Sequence, residues 1–168
     1  AWPTETFDER LVLTVGGEEI HLVHHPAETD DQCYAWFPDR RALYSADYYQ
    51  GFLPNLGNGK RTQRGTDDWV LAMREMADLG PLSLFPGHGE PITDPELIRS
   101  EFHLLADALE HIIDHVVDGL NRRLRKDLIV DTLDWPERFA DHPTLAIRYV
   151  TPGDIARMVI KRWTGWWD

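Results

Sequence analysis

Three short stretches carry side chains able to do chemistry: Glu28-Thr29-Asp30-Asp31, Ser45-Ala46-Asp47 and Pro86-Gly87-His88-Gly89. Each closes a predicted strand or lies in the loop after one, where residues from separate strands can converge. Carboxylate, carboxylate and imidazole are donors that suit Zn²⁺ and related ions. Together the three stretches read as half of a dinuclear metal site. Singly, Glu28 reads as a solvated loop acid, Asp47 as a helix or turn cap and His88 as a turn histidine.

Other polar groups are weaker candidates. Lys60, Arg61 and Arg64 are three cations within one irregular loop of an acidic chain. A guanidinium fork suits a pair of sulfate or phosphate oxygens, and the bland alternative is a solvated basic turn. Tyr48, Asn55 and Thr66 lie nearby as hydrogen-bond donors. His111 and His115, four apart, share a helix face with Asp107. Without a Glu-x-x-His companion, that face reads as solvated. His21, His103 and His142 take the same structural reading. The single Cys33 excludes an intrachain disulfide and a Cys-rich zinc module, and its alternating strand context reads as a buried structural thiol.

The elements that must position these groups are legible in the pattern. Residues 10–15 and 19–24 are strands flanking Gly16-Gly17, a hairpin signal. Residues 32–37 and 41–45 form a second pair around Pro38-Asp39-Arg40. The stretch 47–66, rich in Gly, Asn and Arg, has no apolar period and reads as a long functional loop. An amphipathic helix is expected over 67–79, and a short strand over 82–85 feeds Pro-Gly-His-Gly. Strands, helix and strand make an α/β layered pattern.

From Thr93 the composition changes. Thr93-Asp94-Pro95-Glu96 is a helix start. Apolar residues then recur from Ile98 to Leu124 at spacings of three or four. That predicts a helix of roughly thirty residues, about 45 Å long, with a partner helix or subunit over part of its stripe. Shorter helices are expected near 127–133, 136–141 and 152–164. The closing Trp163, Trp166 and Trp167 call for cover, either under the long helix or by something beyond residue 168.

A chain of 168 residues, 42% hydrophobic and 27% charged, reads as one globular unit with a sizeable core. No apolar run reaches membrane-spanning length. Seventeen Lys and Arg against 29 Asp and Glu give −12, which argues against a nucleic-acid partner. An anionic substrate would need a local basic cluster. The start at Ala1, without Met, reads as a trimmed or excised N-terminus, and localisation stays open because an export signal would precede it.

His25-Pro26-Ala27-Glu28-Thr29-Asp30-Asp31-Gln32 resembles the H-x-P-G-E-T-D-D-Q stretch of alkyl sulfatases of the metallo-β-lactamase superfamily. The likeness continues through Trp36 to Arg41, Phe52 to Leu56, Pro86 to Pro91 and the closing Gly165-Trp166-Trp167-Asp168, similar to that family's G-W-F-D. The resemblance implies an α/β (α+β) fold: residues 1–92 as the second half of an αββα sandwich, and 93–168 as the start of a helical dimerisation segment. It implies two zinc ions in the intact protein, an alkyl sulfate as small-molecule substrate, and a homodimer. Glu28 would hold one metal, His88 the other and Asp47 both, while Lys60, Arg61, Arg64 and Asn55 are candidates to hold sulfate.

The family's H-x-H-x-D-H signature, source of four ligands, is absent from the chain. The expectation is therefore a C-terminal part of a larger polypeptide, with an N-terminal portion carrying the remaining ligands, and inactive by itself. Ala27 also stands where the family has Gly. The rival readings are another metallo-β-lactamase-fold hydrolase, acting on a phosphodiester, lactone or thioester, and a non-catalytic oligomerisation module with vestigial ligands.

Overall fold

The computed structural model describes residues 2–56 and 65–165. Five strands form one mixed sheet in sequence order: β1 (Arg10–Val15), β2 (Glu18–His24), β3 (Cys33–Phe37), β4 (Ala42–Ala46) and β5 (Ser83–Pro86). The first four are antiparallel, with Leu13 opposite Ile20 and Trp36 opposite Leu43. Gly16 and Gly17 take φ of 62° and 87°, so the two-residue hairpin turn needs the left-handed backbone that glycine permits.

β5 runs parallel to β4, and the connection between them includes α1 (Thr66–Asp78). A parallel neighbour cannot be reached by a tight turn, so this crossover is where a helix must lie on the sheet. The helix places Trp69, Val70, Met73 and Met76 in the core.

The long helix, α2, spans Pro95–Asn121. Asp94 caps it, accepting from the N–H groups of Glu96 and Leu97. It stops short of the expected Leu124 because Arg123 turns left-handed, at φ 56°. Leu124 N–H then bonds Gly119 O and Arg123 N–H bonds Leu120 O, closing a Schellman motif. Ile98, Phe102, Leu105, Leu109, Ile112 and Val116 are buried. Their cover is internal, from α1, from α3 (Lys126–Asp131) and from α5 (Pro152–Thr164). The helix length therefore gives no argument for a second subunit.

Between α3 and α5 lie α4 (Glu137–Ala140) and a 3₁₀ turn, Pro143–Leu145. One cluster of buried side chains runs from Tyr34 on β3 through Met73 and Phe102 to Ile160, so the sheet and the helices share a core. Arg74 on α1 adds a polar clasp on α2, donating to Asp107 and Glu110 at 2.6 Å each.

The sheet's two faces differ. Tyr34, Trp36, Leu43 and Leu84 are buried, and the Tyr34 hydroxyl donates to Glu75 of α1 at 2.7 Å. The alternate residues Phe37, Tyr44 and Phe85 stay partly open. Tyr44 stacks on Phe85 at 4.7 Å and lies 5.2 Å from Phe37, centroid to centroid. Among the described residues no helix is long and apolar enough to cross a membrane. Trp163 is exposed, and Trp166 and Trp167 lie outside the described residues, as does the final Asp168.

Candidate functional site

Strand ends position the polar groups. The loop after β2 carries Glu28 and is held at several points. Glu28 N–H donates to Gln32 Oε1 at 3.1 Å, Ala27 N–H to Thr29 O at 3.1 Å and His25 N–H to Gln32 O at 3.2 Å. Ala27 is fully buried and is not among the positive-φ residues, so replacing the family's Gly brings no strain. The Tyr48 hydroxyl sits inside the loop, accepting from His25 N–H at 3.2 Å and sharing its proton with the carbonyls of His25 and Gln32. Tyr48 is fully buried and its hydroxyl is a strut of this loop. Thr66, also buried, opens α1.

Asp47 follows a kink at the end of β4. The register shifts between Tyr44 and Ala46, and Ala46 takes φ 46°. The neighbouring strand end brings Gly87 N–H to Ala46 O at 2.7 Å. His88 Nδ1 then lies 2.7 Å from Asp47 Oδ1. A carboxylate only accepts, so the proton sits on Nδ1 and the Nε2 lone pair is left available.

Glu28, Asp47 and His88 line one cavity of about 250 Å³, together with Gln50, Phe52, Asn55 and Tyr149. The donor set, two carboxylates and an imidazole, fits zinc in kind. It is not assembled in number: among the described residues no three His, Cys, Asp or Glu side chains come close enough to hold a metal ion. Asn55 lies on the wall as expected, whereas Lys60, Arg61 and Arg64 lie outside the described residues.

The remaining candidates have structural partners. The His24 ring nitrogens lie 2.7 Å from the carbonyls of Asp8 and Asp30, and His25 lies 2.6 Å from Glu75. His111 and His115 donate from Nε2 to Asp134 O and Ile129 O, both at 2.7 Å, tying α2 to the segment that follows it. His21 sits between Arg10 and Glu19, His103 meets Arg74, and His142 caps Thr144 N–H. Burial, and then the Asp31 charge, push the Cys33 thiol up, which disfavours a reactive thiolate.

Three cavity residues escaped the sequence reading. Gln50 and Phe52 fall in a stretch without periodicity. Tyr149 is about a hundred positions further on, brought in because Leu53 N–H bonds Ala146 O at 3.2 Å and Phe52 packs on the Tyr149 ring.

No family model matches the chain. Among curated proteins it is similar to a linear primary-alkylsulfatase of Pseudomonas sp. (strain ATCC 19151), 29% identical over 169 residues. That match takes in 99% of this chain and 32% of the relative, so the chain spans about a third of its length. A stereoselective inverting sec-alkylsulfatase from Pseudomonas sp. superposes with TM-score 0.84 at 17% identity, over 95% of this chain and 26% of that one. A metallo-β-lactamase family protein from Thermus thermophilus gives TM-score 0.58 at 18% identity, over 95% and 49%. The chain has a metallo-β-lactamase-type fold and resembles the alkylsulfatases of that superfamily.

Proposed function

We propose that the chain supplies half of a two-zinc site to a hydrolase of alkyl sulfate esters, with Glu28 holding one metal, His88 the other and Asp47 both. The observation that carries the reading is that three ligand-type side chains, from three separate loops at strand ends, line one cavity. Zinc bound there supplies Lewis acidity toward the ester and makes water more acidic. The protein's own part is to orient. Asp47 and His88 stand within hydrogen-bond reach of each other, and the cross-braced loop carries Glu28 to the same cavity.

One feature favours a larger assembly. The open sheet face with Phe37, Tyr44 and Phe85 has the apolar character that a second sandwich layer covers. An N-terminal portion bearing H-x-H-x-D-H would provide both that layer and the missing ligands. A homodimer through residues 93–168 belongs to the same reading, and it would use a surface other than the buried stripe of α2.

Metal analysis tests it directly. Glu28→Gln, Asp47→Asn and His88→Ala should each lower zinc uptake by the protein as its gene encodes it. Unchanged uptake in all three sinks the assignment. The 168-residue chain alone should not hold two zinc ions tightly, and a titration showing two tight sites would refute the division of ligands. Faster turnover of a phosphodiester than of a long-chain alkyl sulfate would move the substrate to the rival hydrolase class, and sedimentation as a monomer would remove the dimer.

A further inference from the structure

Among the described residues, two buried side-chain polar atoms lack a hydrogen-bond partner: Gln32 Nε2 and Gln50 Oε1. Both belong to the site just described. Gln32 uses its other amide atom to hold Glu28 N–H, and Gln50 lines the cavity beside Glu28, Asp47 and His88. Gln50 is only 8% exposed. A buried amide oxygen without a donor has lost its water and gained nothing in exchange, a cost that points to an amide kept for its other end, the NH₂ group.

We infer that Gln50 is a ligand-binding residue, whose side-chain amide hydrogen-bonds an oxygen of the tetrahedral oxyanion head of the bound ester. The NH₂ end of the same side chain is not among the sealed, unpaired atoms, and it is the end that can donate to a sulfate or phosphate oxygen. Donation matters here because Glu28 and Asp47 give the described wall two carboxylates, and an anionic head needs neutral donors to balance them. Gln50 meets that need without adding charge, and it fixes orientation by direction. A hydrophobic residue of the same size would fill the space with no orphaned atom, so packing alone does not account for an amide at this position.

The inference rests on the proposed function, and one experiment separates the two. In the zinc-loaded protein as its gene encodes it, binding of hexyl sulfate and of hexyl phosphate would be measured by calorimetry for the parent, Gln50→Leu and Gln50→Glu. Removing one donor to a charged group should weaken binding about 10-fold in Gln50→Leu, and Gln50→Glu should lose at least as much. The ligand-free melting temperature of Gln50→Leu should equal or exceed the parent's, because a buried orphan is removed; a marked drop would make Gln50 a packing residue and overturn the inference. Equal hexyl sulfate binding by parent and Gln50→Leu overturns it while leaving the sulfatase reading standing. Gln50-dependent binding of hexyl phosphate alone supports the residue's role and overturns the sulfatase reading. No binding of either ester by the parent overturns both.

Discussion

Gly87 backs directly onto Asp47: a Cβ on residue 87 would stand 2.2 Å from Asp47 Oδ1 and 2.9 Å from the carbonyl carbon of Ala46. The first clash could be relieved by a side-chain rotation, but the second is with main chain. Gly87→Ala should therefore cost about 1–3 kcal/mol of stability and displace Asp47 from His88. Urea unfolding and zinc uptake, measured together, check both effects. Undiminished stability and uptake would show that the strand ends separate freely.

Tyr48 braces the Glu28 loop from inside, and Trp69 Nε1–H bonds its carbonyl at 2.9 Å. Removing the hydroxyl in Tyr48→Phe takes away the donor to the His25 carbonyl and leaves His25 N–H and the Gln32 carbonyl only their bond to each other. The expected loss is about 1–2 kcal/mol. Tyr44→Phe, at an open position of the same sheet, should stay within about 0.5 kcal/mol. Similar urea midpoints for the two variants would deny the brace.

How far the sequence foretold these features depends on whether the signal was local. Helix 152–164 was legible at both ends, through the Thr151–Asp154 capping box and Gly165 at φ 77°. The end of α2 was not, because an arginine occupies the left-handed position where glycine is the usual marker. The stretch after Asp47 lacks periodicity, yet Tyr48, Leu53 and Leu56 are fully buried. Period-based reading sees only regular elements, and this loop joins the core irregularly. The candidate site followed the same rule. Glu28, Asp47 and His88 stood out at strand ends, whereas Gln50 and Tyr149 reach the cavity only through tertiary packing.

Arg123 offers a local test. Its left-handed backbone is costly for a residue with a Cβ. Arg123→Gly should stabilise the chain by about 0.5–1 kcal/mol, and Arg123→Val should destabilise it. Thermal unfolding of both variants decides the matter, and a loss of stability in Arg123→Gly would show that the arginine side chain holds the turn.

Three buried tyrosines set the alkaline limit. Burial pushes Tyr49 up to about 12, with the Glu101 charge adding to it against the bond to Thr144. Burial also raises Tyr34, reinforced by Glu75, and raises Tyr48 against its bond to His25. In the unfolded chain tyrosine titrates near 10. Above that pH the unfolded state binds fewer protons than the folded one, so stability falls as pH rises. The contribution of Tyr49 is complete below about pH 10 and is lost as pH rises through about 12. Tyrosinate absorbance should appear together with unfolding. Ionisation of all tyrosines near pH 10 in a still-folded chain would contradict the burial.

The turn bearing His88 is closed at its base, since Leu84 and Ile92 exchange N–H···O bonds of 2.8 and 3.0 Å. Whatever arrives at this cavity meets an imidazole on a tethered ring of backbone, already deprived of most of its wandering when the sheet formed. Capture there should depend little on ordering the chain, and selectivity would then fall to the apolar part of the same wall, where Phe52 and Tyr149 lean together.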